Sequence, residues 1–404
     1  MKLNILCICF NPIPYRGMTL FQRLAHLSGC HTLTLVTGKG LEILPEIEER
    51  VTVKRVGPSF GSRFLRYPLF LLAALVCAFR LRREHDFDQV YTSQGLPPTL
   101  VLGFVVAKLL GVRWVIDAMD DPMIEFFNYQ KRWNWNPAVG LVIGFWRRVL
   151  RFVMPRSDLV VAIGKDSHDF LPSILVRRYG VRVDQLFSVP NGVDLAAIPE
   201  SAPRAHPEKN TARLFYVGYV SPLRGLETLI RAVHYAKSHG VGVSLDLIGE
   251  AKDRDRAILW SLVDELSLTG AVVYHGSQPT EVVHEHISSA DICIYPFPDV
   301  PELACVYPVK VFEYLAFSKP VVASRLPGVS AIIQDGENGL LVEPSDPAAM
   351  GQAIIRIVRD DRLRESIERN ARPSIAPYDW RLINDKVNDR VIDVTRSATA
   401  ADDG

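Results

Sequence analysis

Short runs of apolar, β-branched residues alternate along the chain with longer stretches in which apolar residues recur at helical spacing. The short runs predict strands at 3–10, 32–37, 51–56, 89–93, 114–118, 159–163 and 187–189. A polar, proline-containing stretch follows at 199–211, and the pattern then restarts at 214–217, 245–248, 272–274, 292–295, 321–323 and 340–342. Strands without polar alternation are buried on both faces, so they belong in parallel sheets covered by helices. Two such series predict two doubly wound α/β domains facing each other, residues 1–198 and 199–378. A last helix, from Trp380 to Val394 within 379–404, has no strand after it and could pack on either domain.

Composition adds little until it is split. A length of 404 residues suits two domains, and 48% hydrophobic with 23% charged residues excludes a disordered chain. The net charge of +1 excludes a strongly basic nucleic-acid binder. Residues 1–198 carry a net +8, however, and the remainder −7. The six cysteines form no Cys-x-x-Cys pair and sit mostly in apolar runs, as buried thiols of a reducing cytosol do. The opening run, Leu3 to Phe10, has no small-x-small cleavage site after it and reads as a buried strand rather than a signal peptide. The longest uncharged apolar stretch, Tyr67 to Phe79, is shorter than the roughly 18 residues a membrane span needs.

In doubly wound sheets, ligands bind outside the carboxyl ends of the strands. Two such places carry candidate chemistry. After the strand at 214–217, Gly218 opens a loop that holds Arg224 and ends at Gly225, where a helix starts. A guanidinium ahead of helix N-terminal amides is an anion site, or else a solvated turn. In Tyr307-Pro-Val-Lys-Val-Phe-Glu-Tyr-Leu-Ala, Lys310 and Glu313 share one helix face near its start. A lysine there can meet a phosphate and a glutamate there can accept hydrogen bonds from a ribose diol. The alternative is a surface ion pair, but the apolar flanks Val311, Phe312, Leu315 and Ala316 leave little surface for one.

These pieces occur in a recognisable order. Gly218…Arg224-Gly225, Leu247-Ile-Gly-Glu250, Tyr274-His-Gly276, Pro308-x-Lys310-x-x-Glu313-Tyr-Leu-Ala, Lys319-Pro-Val-Val-Ala and Asp335-Gly-Glu-Asn-Gly-Leu-Leu-Val-Glu-Pro344 resemble the nucleotide-binding half of retaining GT-B glycosyltransferases, the large family numbered four (group 1). Val189-Pro-Asn-Gly-Val-Asp194 resembles that family's interdomain strand end. The resemblance covers nearly the whole chain and implies two Rossmann-like domains facing across a cleft. It implies that the C-terminal domain holds a nucleotide-sugar donor, that the N-terminal one binds the acceptor, and that configuration is retained without a required metal or other cofactor. Carried over, Arg224 and Lys310 sit on the diphosphate, with Gly218 and Val309 beside them. Glu313 binds the ribose, and main chain near Gly249, His275 and Gly276 holds the base. Gly17 resembles the family's glycine that lets the backbone approach the donor phosphate.

The sequence departs from the family at three places: Cys305 stands where a first glutamate is common, with Glu302 nearby. Tyr219 stands where an arginine is common, and Met119 where a histidine is. Asp120 matches an acid that often follows that histidine and is the acceptor-side catalytic candidate.

Two segments of the basic half, 51–83 and 126–157, contain arginines and lysines but no acid, interleaved with apolar and aromatic residues. Such segments suit an anionic membrane surface; core helices with solvated arginines are the plainer reading. No nucleic-acid module accompanies them. Asp86-Phe-Asp88 and Asp253-Arg-Asp255 read as solvated loop and helix starts rather than metal motifs, and His284-Glu285-His286 lacks the spacing of a helical zinc pair. The expectation is a metal-independent hexosyltransferase on the cytoplasmic face of a membrane. It would move a sugar from a nucleotide donor to a saccharide, lipid-linked or small and soluble, in surface polysaccharide or glycolipid synthesis. A silent nucleotide-sugar-binding scaffold is the alternative.

Overall fold

A computed structural model describes residues 1–10, 13, 18–59, 63–93, 97–123, 137–199, 210–300 and 307–402. The chain divides into two compact units, Met1–Asn191 with Trp380–Gly404, and Gly192–Asp379.

The first unit is a seven-stranded parallel sheet. Its strands are β1 (Asn4–Ile8), β2 (Thr32–Gly38), β3 (Thr52–Val56), β4 (Gln89–Ser93), β5 (Arg113–Ala118), β6 (Leu159–Ile163) and β7 (Leu186–Val189), in the spatial order β3-β2-β1-β4-β5-β6-β7. The order reverses direction between β1 and β4, as in doubly wound folds. Leu6, Ile8, Val90, Ile116 and Val160 face one core, covered by the helices Arg63–Leu81, Pro97–Leu110, Pro137–Val153 and Phe170–Tyr179. Ile5, Cys7, Tyr91, Val115 and Val161 face the other, covered by the helix Thr19–Cys30 and by Trp380, Ile383, Val387 and Val391.

Those last four belong to the helix Trp380–Asp402, which closes the first unit although it ends the chain. Its spacing of apolar residues puts them on one stripe. Polar pins add direction: the Arg23 guanidinium donates to Asn384 Oδ1 at 2.7 Å and to Asp117 Oδ2 at 3.3 Å. Gln89 Nε2 donates to Val391 O at 2.6 Å. No helix among the described residues is long and apolar enough to cross a membrane.

The second unit repeats the plan with a six-stranded parallel sheet, β10-β9-β8-β11-β12-β13. The strands are β8 (Thr211–Val217), β9 (Gly242–Ile248), β10 (Val272–Tyr274), β11 (Ile292–Tyr295), β12 (Val321–Ser324) and β13 (Leu340–Val342). β8 and β9 begin earlier than their apolar runs, at Thr211 and Gly242, where they pair in register through Arg213 and Ser244. Arg213, Gly242 and Ser244 are exposed there, so these strand ends alternate polar and apolar residues and escape an apolar-run criterion. Val193 bridges Asp379, and Arg372 Nη2 donates to Leu195 O and Ile198 O at 3.0 and 2.9 Å, so residues 193–198 pack within this unit.

Candidate functional site

In the second unit the strand order turns back between β8 and β11, and the loops after these two strands build the site. After β8 the chain runs through Gly218 to a single turn, Pro222–Arg224, capped by Ser221 Oγ accepting from Leu223 N–H at 3.3 Å. Gly225 ends the turn at φ +77°, and the helix Leu226–Ser238 starts there. A Cβ at Gly225 would collide with Pro296 O, in the loop after β11. Glycine thus lets the two loops touch backbone to backbone, which brings Arg224 to β11. The Arg224 guanidinium lies 5.0 Å from the centre of the Phe297 ring.

The helix Val309–Ala316 presents Lys310 and Glu313. Lys310 Nζ lies among three rings, 5.1 Å from the centre of Tyr216, 5.2 Å from Phe297 and 5.9 Å from Tyr295. Tyr295 and Phe297 stack with centroids 4.1 Å apart. A Cβ at Gly218, where φ is +145°, would collide with Lys310 Nζ. The ammonium therefore rests against bare backbone at the end of β8. Tyr314 on the same helix fixes its distance from β8 by accepting from Val217 N–H at 3.1 Å.

The electrostatics follow from this packing. Burial, and then repulsion by Arg224, lower the Lys310 pKa to about 7, against the pull of Glu313. Burial raises the Glu313 pKa to about 7, against the pull of Lys310. Both side chains keep part of their surface exposed, so solvent still reaches them. Two cations held close enough to repel are stabilised by an anion placed between them.

Gly249 follows β9 at φ +139°, where a Cβ would collide with Gly218 O, and its N–H donates to Gly276 O at 2.8 Å. His275 N–H donates to Leu247 O at 3.0 Å. The Gly218, Gly249 and Gly276 turns thus form one ledge beside Arg224 and Lys310. The His275 side chain is taken up elsewhere, with Nε2 2.7 Å from Asp246 Oδ1.

On the first unit, Asp117, Asp120 and Asp121 separate clearly. Asp117 is buried and accepts from Arg23 and from Tyr91 O–H at 2.6 Å. Asp121 is buried and paired with Arg178 and Tyr179 O–H. Asp120 lies at the surface, and desolvation by the surrounding chain first, and the charge of Asp121 second, raise its carboxyl pKa. Met119 packs partly buried against the core of the Thr19–Cys30 side. Gly17, Glu302 and Cys305 lie outside the described residues. Sequence reasoning missed the ring cluster Tyr216–Tyr295–Phe297, whose only trace was aromatic residues at the ends of two predicted strands.

The family described as "Glycosyl transferases group 1" matches residues 211–360. The chain is 24% identical over 316 residues to a phosphatidyl-myo-inositol mannosyltransferase of Mycobacterium leprae, covering 76% of this chain and 75% of that one. It is 29% identical over 239 residues to a D-inositol 3-phosphate glycosyltransferase of Acidothermus cellulolyticus, covering 56% of this chain and only 51% of that one. Among solved structures, sucrose-phosphate synthase from Thermosynechococcus elongatus superposes over 99% of this chain and 100% of its own, with a TM-score of 0.73 and 18% identity. Anabaena HepE in complex with UDP-glucose superposes over 97% of this chain and 100% of its own, with a TM-score of 0.70 and 17% identity. At these identities the superpositions bear on the fold alone.

Proposed function

We propose that the chain, whose residues 211–360 match the group 1 glycosyltransferases and which has the two parallel α/β units of the GT-B fold, transfers a hexose from a nucleotide-sugar donor to a saccharide acceptor with retention and without a required metal. The observation that carries this reading is the pairing of Arg224 and Lys310 at the switch point of the second sheet, with Glu313 one helical turn from Lys310. The two cations take the diphosphate and Glu313 takes the ribose. As the bond from the anomeric carbon to the diphosphate breaks, negative charge grows on the leaving phosphate. Arg224 and Lys310 stabilise that charge, the term that usually dominates such catalysis. The acceptor hydroxyl attacks from the face the diphosphate leaves, and a phosphate oxygen receives its proton. On the first unit Asp120 orients the acceptor; its raised pKa suits a group that shares a proton.

The acceptor side of the proposal is lipid-linked, at an anionic membrane surface on the cytoplasmic side, in surface polysaccharide or glycolipid synthesis. The helices Arg63–Leu81, Pro97–Leu110 and Pro137–Val153 cover the same face of the first sheet. Their outward sides carry Leu72 (61% exposed), Leu141 (77%) and Phe145 (57%), with Arg66, Arg80, Arg148 and Arg151 among them. The relatives named for phosphatidyl-myo-inositol transfer support a lipid acceptor in the same way.

The test is turnover. UDP-, GDP- and dTDP-sugars are screened by thermal shift, and the stabilising donor is then followed for release of nucleoside diphosphate with lipid-linked and soluble saccharides. Arg224→Ala and Lys310→Ala should each lower turnover by two orders of magnitude or more. Unchanged donor affinity and turnover in both variants would overturn the diphosphate assignment, and binding without release of nucleoside diphosphate would overturn the transferase reading.

A further inference from the structure

A carboxylate in the middle of a covered parallel strand needs a reason, because such strands bury apolar side chains on both faces. Asp246 occupies that position in β9, flanked along the strand by buried Leu245 and Leu247. Two imidazoles from different elements converge on it. His275, in the turn after β10, places Nε2 2.7 Å from Asp246 Oδ1. His286, on the helix Thr280–Ser289, places Nδ1 3.9 Å from Asp246 Oδ2. The two rings lie with centroids 4.6 Å apart, and the His286 ring stacks on Phe215 of β8 at 5.9 Å. One donor atom from each residue falls within 4.8 Å of the other two.

We propose that Asp246, His275 and His286 form a site for one divalent transition ion of the zinc class. A tetrahedral zinc with nitrogen and oxygen ligands at about 2.0–2.2 Å sets its ligand atoms about 3.3 Å apart. The observed separations of 2.7 and 3.9 Å to the two Asp246 oxygens bracket that value, and one donor atom from each residue lies within 4.8 Å of the others, so side-chain rotations draw the three donors around the ion. Two imidazoles and one carboxylate select zinc, cobalt or nickel over magnesium and calcium, which prefer all-oxygen shells. His275 carries its proton on Nδ1 in the loaded site, freeing the Nε2 lone pair, and Asp246 exchanges the hydrogen bond for a metal bond. All three side chains are partly exposed, so the ion enters from solvent and keeps a water in its remaining position. The ion ties β9, the turn after β10 and the helix Thr280–Ser289 together. It uses neither Arg224 nor Lys310, so this inference stands or falls independently of the donor reading.

The spacing of His284 and His286 along one helix conceals the site, because only His286 takes part and its partners come from two other elements. The test uses the full chain, stripped with a chelator, and zinc chloride as the probe. Calorimetry should show one equivalent bound at neutral pH, with a rise in melting temperature that magnesium chloride does not produce. Asp246→Asn and His286→Phe, the latter keeping a ring against Phe215, should each weaken zinc binding at least about a hundredfold. Cobalt chloride should give a visible d–d absorption in the wild type that both variants lose. Circular dichroism identifies a variant that fails to fold, and the other then decides. Zinc stoichiometry and affinity unchanged in a folded variant, or no zinc bound by the stripped wild type, would overturn the proposal.

Discussion

At the scale of single residues, the site is built from backbone that only glycine can supply and from charges that burial has unsettled. Gly225→Ala places a methyl against Pro296 O at a φ of +77°, where an L-residue is already strained. The left-handed conformation alone costs about 1–2 kcal/mol, and the collision with backbone adds to it. Urea unfolding should therefore report a loss of about 2 kcal/mol or more, and donor affinity should fall with it. Lys310 and Glu313 make a pH prediction. Both titrate at about 7 in the free site, and a bound nucleotide sugar favours the charged form of each. Above pH 7, binding must charge Lys310 by taking up a proton, so affinity falls as pH rises. Below pH 7, binding must ionise Glu313 by releasing one, so affinity falls as pH drops. Affinity for the stabilising nucleotide sugar should be greatest near pH 7 and decline on either side by up to about tenfold per unit. Glu313→Gln should remove the acid limb and Lys310→Met the alkaline one; a flat profile in the wild type would contradict the assignment. The glycines, Arg224, Lys310 and Glu313 are legible in the sequence because each is a rare type at a strand end or helix start. The rings around Lys310 are not, because Tyr216 and Tyr295 look like ordinary strand residues until the sheet order puts β8 beside β11.

At the scale of elements, short apolar runs were enough to locate all of the described strands, because the central strands are buried on both faces and the edge strands β3 and β10 still carry valines. What they could not locate is where a strand leaves its helix cover. That is why β8 and β9 extend to Thr211 and Gly242. Nor could they choose a unit for the helix Trp380–Asp402, because its apolar stripe fits any core of the right width. Polar partners decide it: Arg23 and Asp117 are both 1% exposed and form an ion pair that needs Asn384 to complete the guanidinium's bonds. Burying a charge pair demands such completion. Ile383→Ala should cost the first unit about 2–5 kcal/mol through the cavity it leaves. Asn384→Leu, which strands Arg23, should be of similar size, and limited proteolysis should show cleavage concentrated in residues 1–191. Part of the family resemblance is likewise architectural. Asp335 accepts from Leu341 N–H at 3.0 Å, and Asn338 accepts from Gln334 N–H at 2.7 Å. The Asp335–Pro344 motif thus shapes the turn into β13 and contributes fold rather than chemistry.

At the scale of the whole molecule, a net charge of +1 conceals +8 on residues 1–198 and −7 on the rest. The asymmetry matters only if the positive half has somewhere to put its charge. One helix-covered face of the first unit offers arginines beside exposed Leu72, Phe145 and Phe152, a combination that a water-facing surface gains nothing from keeping. An anionic bilayer would attract each such arginine by about 1 kcal/mol near its surface and would cover the apolar side chains. Charge and burial respond differently to salt, which makes the two contributions separable. Raising the ionic strength from 0.1 to 1 M shortens the screening length from about 10 to about 3 Å, so flotation with phosphatidylglycerol vesicles should weaken strongly. Leu72→Ser and Phe145→Ser remove burial instead. Each should weaken vesicle binding about tenfold at every salt concentration, leaving the salt dependence in place. Arg148→Gln with Arg151→Gln should do the reverse, flattening the salt dependence while binding in high salt changes little. Turnover on a soluble saccharide should be untouched by all four substitutions, because they lie on helix surfaces that hold none of the proposed donor or acceptor residues. No flotation at low salt would remove the membrane from the proposal while leaving the donor site as argued.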